Sequence, residues 1–120
     1  MRAFIRGFGY AFEGVAYVVR TQRNMRAHLA IAGLVVVLGW GLRITAVEWA
    51  IVLLTIGLVF SAELVNTVAE LAVDLLTQAY HPMAKVAKDI SAAAVLVTAL
   101  AAVGVGIAIF GPRLWFILFH

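Results

Sequence analysis

Residues 48–76 read EWAIVLLTIGLVFSAELVNTVAELAVDLL and form one continuous helical pattern. The first half is almost wholly apolar, and Thr55 is the only polar residue between positions 51 and 60. At 1.5 Å per residue, a helix over the whole stretch would be roughly 43 Å long. That length exceeds the ~30 Å hydrocarbon core of a bilayer. We therefore predict a membrane-spanning helix whose second half projects into the membrane interface.

The composition of the chain is typical of an integral membrane protein. Of its 120 residues, 65% are hydrophobic and 12% are charged, and the mean hydropathy is +1.07. Soluble domains are about 45–50% apolar and about 25% charged, so a soluble fold of this size could not cover so much apolar surface. The absence of cysteine excludes disulfides and thiolate metal sites. We expect one membrane-embedded domain over residues 1–120.

Three further segments complete the predicted all-α architecture. Residues 1–26 are expected to form a short amphipathic helix in the plane of the interface. Its apolar face has spacings of three and four and consists of Phe4, Phe8, Phe12, Val15 and Val19. Residues 27–42 form the first span, and a short turn at 43–47 leads into the second. A break at His81-Pro82 precedes a charged connector, and the third span covers residues 90–110 before Gly111-Pro112 closes it.

The distribution of basic residues predicts the orientation. Five arginines precede the first span, two lysines lie in the second connector, and the first connector and the tail carry one arginine each. The positive-inside rule then places the N-terminus in the cytoplasm and the C-terminus outside. The net charge of +3 is explained by anionic headgroups. No basic face is separable from a membrane segment, so nucleic acid is not an expected partner.

Polar residues on the second half of the long segment form the candidate site. Glu63, Asn66, Glu70 and Asp74 are spaced 3, 4 and 4 apart, which stacks them on one helix face. A lipid-facing stripe of carboxylates would be costly, so it must face protein, water or a cation. One interpretation is a solvated face on a projecting helix. The other is a Mg²⁺ and phosphate site, with Lys88 close enough to meet a phosphate.

Other motifs give little chemistry. No P-loop and no glycine-rich turn after a strand is present, which excludes those two kinds of nucleotide site. His28 and His81 each lack a spaced partner, so we interpret them as interfacial or capping residues rather than metal ligands.

Two segments carry a resemblance to a known family. They read AELVNTVAE at residues 62–70, followed by Asp74, and YHPMAKVAKD at residues 80–89, followed by AAAV at 92–95. This long pattern resembles the prokaryotic diacylglycerol kinase family, over nearly the whole chain. The N-terminal RNMRAH at residues 23–28 is more similar to the undecaprenol kinase branch, and so is Ala92 in place of a serine.

The resemblance implies an enzyme, an ATP-dependent lipid kinase in the inner membrane of a bacterium. It implies a homotrimer with composite sites at the cytoplasmic interface, where MgATP phosphorylates the primary hydroxyl of a lipid, undecaprenol first and diacylglycerol as the alternative. Glu63 would be the general base, Glu70 would hold the Mg²⁺, and Asn66 and Asp74 would organise the site. The residues that the resemblance places near the nucleotide are Tyr10, Gln22, Glu70, Tyr80, His81, Lys88 and Asp89.

Gln22 departs from the family pattern. The family has a second metal-binding glutamate in this segment, and Gln22 can offer a carbonyl oxygen but no charge. A weaker or altered metal requirement, or an impaired enzyme, would follow. The rival interpretation from another class is a non-catalytic oligomeric membrane protein, an ion-conducting or scaffolding subunit with the stripe lining a polar path. The apolar character of residues 51–60 disfavours that path.

Overall fold

A computed structural model describes all 120 residues, and it contains four helices and no strand. The helices are α1 (Arg2–Thr21), α2 (Arg23–Gly41), α3 (Ala46–Leu76) and α4 (Pro82–Phe119). Helices α2, α3 and α4 are long and apolar enough to cross a membrane. The predicted all-α architecture with three spans is therefore confirmed.

Helix α1 ends earlier than the sequence predicted. Gln22 has an extended backbone (φ −109°, ψ 112°) and serves both as the C-cap of α1 and as the N-cap of α2. Arg26 Nη1 donates to the carbonyls of Val19 and Arg20 at 2.9 Å each, so carbonyls at the end of α1 are satisfied from the next helix. Residues 23–26 therefore belong to the first spanning helix and not to the N-terminal one.

The apolar side chains of α1 have no cover within the chain. Phe4, Phe8 and Phe12 are all exposed, and Val18 is the only buried residue of the helix. The position of α1 in the membrane interface stays a prediction. An exposed apolar face is what such a helix would bury among the lipids.

The turn between α2 and α3 is tight and specific. Arg43 adopts a left-handed backbone conformation (φ 54°), and Thr45 then caps α3. The Thr45 hydroxyl accepts from the Glu48 amide at 3.2 Å, and a Glu48 carboxylate oxygen accepts from the Thr45 amide at 2.9 Å. This capping box satisfies two amides that the helix leaves free. It starts α3 at Ala46, two residues before the predicted start.

Helices α3 and α4 form the best-packed pair. Their apolar contact near the turn between α2 and α3 is centred on Ile44, Val52, Ile109 and Phe110, all buried. One ion pair lies at each end of this hairpin. Glu48 and Arg113 join at 2.6 Å at one end, and Asp74 and Lys88 at 2.6 Å at the other.

Helix α4 is longer than predicted at both ends. It begins at Pro82, where proline is favoured because the missing N–H has no helical partner in the first turn. It runs through Gly111-Pro112 to Phe119, because proline is tolerated inside membrane helices and the sequence after it remains apolar. The expected span of residues 90–110 is thus only the middle of a 38-residue helix. The charged residues assigned to a connector lie on its first turns.

Candidate functional site

The polar face of α3 changes from buried to exposed along its length. Glu63 is only 1% exposed and Asn66 8%, whereas Glu70 is half-buried and Asp74 is exposed. A solvated face would expose all four, so that interpretation fails for Glu63 and Asn66. The stripe begins inside the protein and opens toward the end of the helix, and we call these four residues the polar stripe.

Glu63 sits in a largely enclosed environment. Its Oε1 lies 3.2 Å from His28 Nε2 of α2, but without the alignment of a hydrogen bond, and this oxygen accepts none within the chain. The Thr67 hydroxyl, also buried, donates to the Glu63 backbone carbonyl at 2.9 Å. A buried carboxylate oxygen without a partner is destabilising and therefore uncommon. Oε1 of Glu63 is therefore open to a hydrogen-bond donor.

Asn66 links the buried and open parts of the polar stripe. Its Nδ2 donates to Glu70 Oε1 at 3.4 Å, a long hydrogen bond, and its own Oδ1 is buried without a partner. Two buried oxygens, one on Glu63 and one on Asn66, are therefore available to donors from outside the chain. This arrangement is compatible with an organising role for Asn66, which stays a prediction.

Helix α4 brings its first charged residues to the open end of the polar stripe. Lys88 Nζ donates to Asp74 Oδ1 at 2.6 Å. This contact agrees with the sequence-based expectation that Lys88 lies close to the polar stripe. Asp89 instead pairs with Lys85 one turn away on the same helix, also at 2.6 Å, and both side chains are exposed. The structure thus joins Lys88 to the stripe and leaves Asp89 outside its hydrogen bonds.

The other residues predicted to lie near the nucleotide make no hydrogen bond to the polar stripe. Tyr10 on α1 and Tyr80 in the loop between α3 and α4 are exposed, at 67% and 80%. His81 caps α4, its Nδ1 accepting from the Met83 amide at 3.1 Å, which agrees with the capping interpretation. Gln22 is half-buried at the break between α1 and α2. None of these four side chains hydrogen-bonds to the polar stripe, and their roles stay predictions.

The donor set fits only one mode of magnesium binding. No group of three histidine, aspartate or glutamate side chains converges to hold a metal ion within one chain. Mg²⁺, however, is often held by one or two carboxylates with substrate phosphates completing its shell. Glu70, half-buried and hydrogen-bonded through one oxygen, suits that mode.

Sequence reasoning missed two partnerships. The contact between His28 and Glu63 joins two different spanning helices, and only their antiparallel packing reveals it. The pair of Glu48 and Arg113 was missed because Arg113 was assigned to a tail beyond the third span. A signal for Glu48 did exist, since Thr45 followed by glutamate three residues later is the pattern of a capping box.

An apolar cavity of about 290 Å³ lies among α2, α3 and α4. Twelve of its fifteen lining residues are hydrophobic, among them Val59, Phe60 and Val103. His28 is one of the few polar residues on its wall, so this imidazole touches both the cavity and Glu63.

Comparison with known proteins gives one family. Residues 9–110 match the sequence model described as prokaryotic diacylglycerol kinase. The chain is 41% identical over 114 residues to an undecaprenol kinase of Bacillus subtilis (strain 168), covering 95% of this chain and 93% of that relative. It is 46% identical over 100 residues to a diacylglycerol kinase of Synechocystis sp., covering 82% of this chain and 57% of the relative. A diacylglycerol kinase of Escherichia coli (strain K12) is 28% identical over 99 residues, covering 82% and 81%.

Proposed function

Because the chain belongs to the prokaryotic diacylglycerol kinase family, we propose that it phosphorylates a membrane lipid alcohol with ATP, and that the acceptor is undecaprenol. The observation that supports the chemistry most directly is a carboxylate, Glu63, that is 1% exposed and has an unpartnered oxygen. The similarity to an undecaprenol kinase over nearly the full length of both chains supports the choice of acceptor.

In the proposed reaction Glu63 is the general base. Its carboxylate takes the proton of the primary lipid hydroxyl as that oxygen attacks the γ-phosphorus of ATP. The bond from the γ-phosphorus to the bridging oxygen breaks, and ADP leaves with that oxygen. Phosphoryl transfer requires mainly positioning and charge neutralisation, so one well-placed base and a few charged groups are sufficient.

The charged groups of the polar stripe would receive the phosphates. Glu70 would hold Mg²⁺, which when bound would supply positive charge to offset that of the phosphates. Lys88, now paired with Asp74 at 2.6 Å, would exchange part of that contact for a phosphate oxygen. Asn66 and Asp74 would orient Glu70 and Lys88. The proposed surroundings of the nucleotide are completed by Asp89, Tyr10, Tyr80, His81 and the side-chain carbonyl oxygen of Gln22.

We propose that the site is completed by neighbouring copies in a homotrimer. A single chain gathers no three metal-binding side chains, and none of its hydrogen bonds joins Gln22 to Glu70. A composite site would bring these groups together across an interface. The basic N-terminal segment supports an inner-membrane protein with a cytoplasmic N-terminus and cytoplasmic sites.

The proposed undecaprenol kinase has two alternatives, a different lipid acceptor and a non-catalytic membrane protein. A diacylglycerol acceptor is favoured by the 46% identity to the Synechocystis relative. A non-catalytic conducting subunit is disfavoured by Thr55, the one polar residue of the mid-bilayer part of α3. Its hydroxyl already donates to the Ile51 carbonyl at 2.7 Å, which leaves no continuous polar path on this helix.

The test is transfer from γ-labelled ATP in liposomes with Mg²⁺, with undecaprenol and diacylglycerol offered together. Excess labelled undecaprenyl phosphate is expected. Labelled phosphatidic acid would transfer the assignment to the diacylglycerol alternative. No labelled lipid from a folded sample would contradict the kinase proposal.

A further inference from the structure

His28 is the only basic side chain within ion-pair distance of Glu63. Its Nε2 lies 3.2 Å from Glu63 Oε1, and the contact joins α2 to α3 inside the bundle. No sequence pattern indicates this contact, since His28 lies 35 residues before Glu63 along the chain. Helices α1 and α4 place no charged partner on Glu63, so His28 is its one ion-pair partner within the chain.

The contact is at hydrogen-bond distance but lacks hydrogen-bond alignment. Glu63 Oε1 is buried and has no donor, and the imidazole can supply an N–H from Nε2 in its neutral or charged form. Reorientation of the imidazole toward Oε1 would align the two groups. Because a buried carboxylate oxygen is costly without a donor, the aligned geometry is the more stable one.

The surroundings of His28 offer its imidazole few hydrogen-bond partners other than Glu63. The imidazole is 20% exposed and lies on the wall of the apolar cavity among α2, α3 and α4. Apolar neighbours on that side offer no competing hydrogen bond. Glu63 is therefore the natural partner for Nε2–H.

We propose that His28 is a positioning residue for Glu63. Nε2–H donates to Oε1 and fixes the carboxylate, so that Oε2 is held toward the lipid hydroxyl whose proton it accepts. The inference rests on the proposed function, in which Glu63 is the base. His28 would act by holding the carboxylate in its reactive position before the reaction begins. Such preorganisation matters because displacing a reacting group by about 1 Å can lower the rate on the order of 10²-fold.

A matched pair of variants separates the donor from the volume of the side chain. His28→Met and His28→Gln place side chains of similar length at this position, but only glutamine carries an N–H donor. We expect His28→Met to lower kcat by about ten- to a hundredfold with little change in the KM for ATP. His28→Gln should recover most of that loss. His28→Leu serves as the apolar variant if the methionine variant does not fold.

The second measurement is a double-mutant comparison in the Glu63→Gln background. If His28 acts only through Glu63, adding His28→Met to Glu63→Gln should leave the residual rate unchanged. Multiplying losses would overturn the proposal, as would equal activities of the methionine and glutamine variants. Wild-type turnover by Glu63→Gln would instead contradict the assignment of the base in the proposed function. Loss in Glu63→Gln with wild-type turnover in His28→Met would overturn the role of His28 alone.

Discussion

Arg113 binds Glu48 through both terminal nitrogens of its guanidinium group. Nη2 lies 2.6 Å from Oε1 and Nη1 lies 2.7 Å from Oε2, although 65 positions separate the two residues. The same Glu48 also caps α3 through Thr45. One carboxylate therefore fixes both the start of α3 and the outer part of α4, which makes this pair structural rather than catalytic.

Arg113→Met should lower thermal stability without changing the chemistry. The variant leaves Glu48 partly buried without its bidentate partner. Bidentate hydrogen bonding between arginine and a carboxylate makes an ion pair more stabilising than an ordinary surface pair. We expect a lower unfolding midpoint in detergent and an unchanged kcat per folded protein. Glu48→Gln added to Arg113→Met should recover part of the stability, since no unpaired charge remains. An unaltered midpoint in Arg113→Met would contradict the structural role.

Glu63→Gln should remove turnover while sparing nucleotide binding. The amide keeps the shape of the side chain but cannot accept the hydroxyl proton, and general-base catalysis contributes about 10²–10⁴-fold. The measurement is kcat with the lipid acceptor beside ATP binding at equilibrium. Glu48→Gln is the matched control, a carboxylate on the same helix about 22 Å away, and it should keep its kcat. Wild-type turnover by Glu63→Gln would exclude it as the base.

Glu70→Gln should act on the metal and not on the base. Loss of this charge should weaken Mg²⁺-dependent ATP binding and raise the Mg²⁺ concentration needed for half activity. Glu13→Gln on the exposed face of α1 is the control and should change neither quantity. The prediction fails if ATP binding by Glu70→Gln keeps the wild-type dependence on Mg²⁺.

Gln22→Glu introduces the charge that the resemblance to the family implies at this position. If Gln22 lies beside the metal in the assembled enzyme, the added carboxylate should lower the Mg²⁺ concentration needed for half activity. The same titration with Gln78→Glu, at an exposed position in the loop after α3, controls for added negative charge alone. An unchanged or raised requirement in Gln22→Glu would show that this residue is not near the metal.

Periodicity and composition were sufficient to predict three spans and the polar stripe, because both depend on local patterns. The ends of α4 were not predictable in the same way. Pro82 and Pro112 were both interpreted as helix breaks, yet the first begins α4 and the second lies inside it. The break at Gln22 was equally hidden, since the residues on both sides of it are helical.

The candidate site was predicted in part. Spacing alone aligned Glu63, Asn66, Glu70 and Asp74 on one face, and the structure adds that burial falls along that face. Tertiary packing supplies the partners from other helices. His28 is the partner of Glu63, and Arg113 is the partner of Glu48. No pattern within one helix could have indicated them.

The two ion pairs at opposite ends of the hairpin have a consequence for the membrane around it. Glu48 and Asp74 are about 39 Å apart along α3, close to the ~40–45 Å thickness of a bilayer with its headgroup regions included. Sliding of α3 along α4 to match a thinner or thicker bilayer would break both ion pairs. Hydrophobic mismatch would therefore be relieved by tilting the hairpin as one body. Under the proposed function, such a tilt would change the depth of Glu63 relative to the lipid hydroxyl, so the chain length of the host lipids becomes a variable of the reaction.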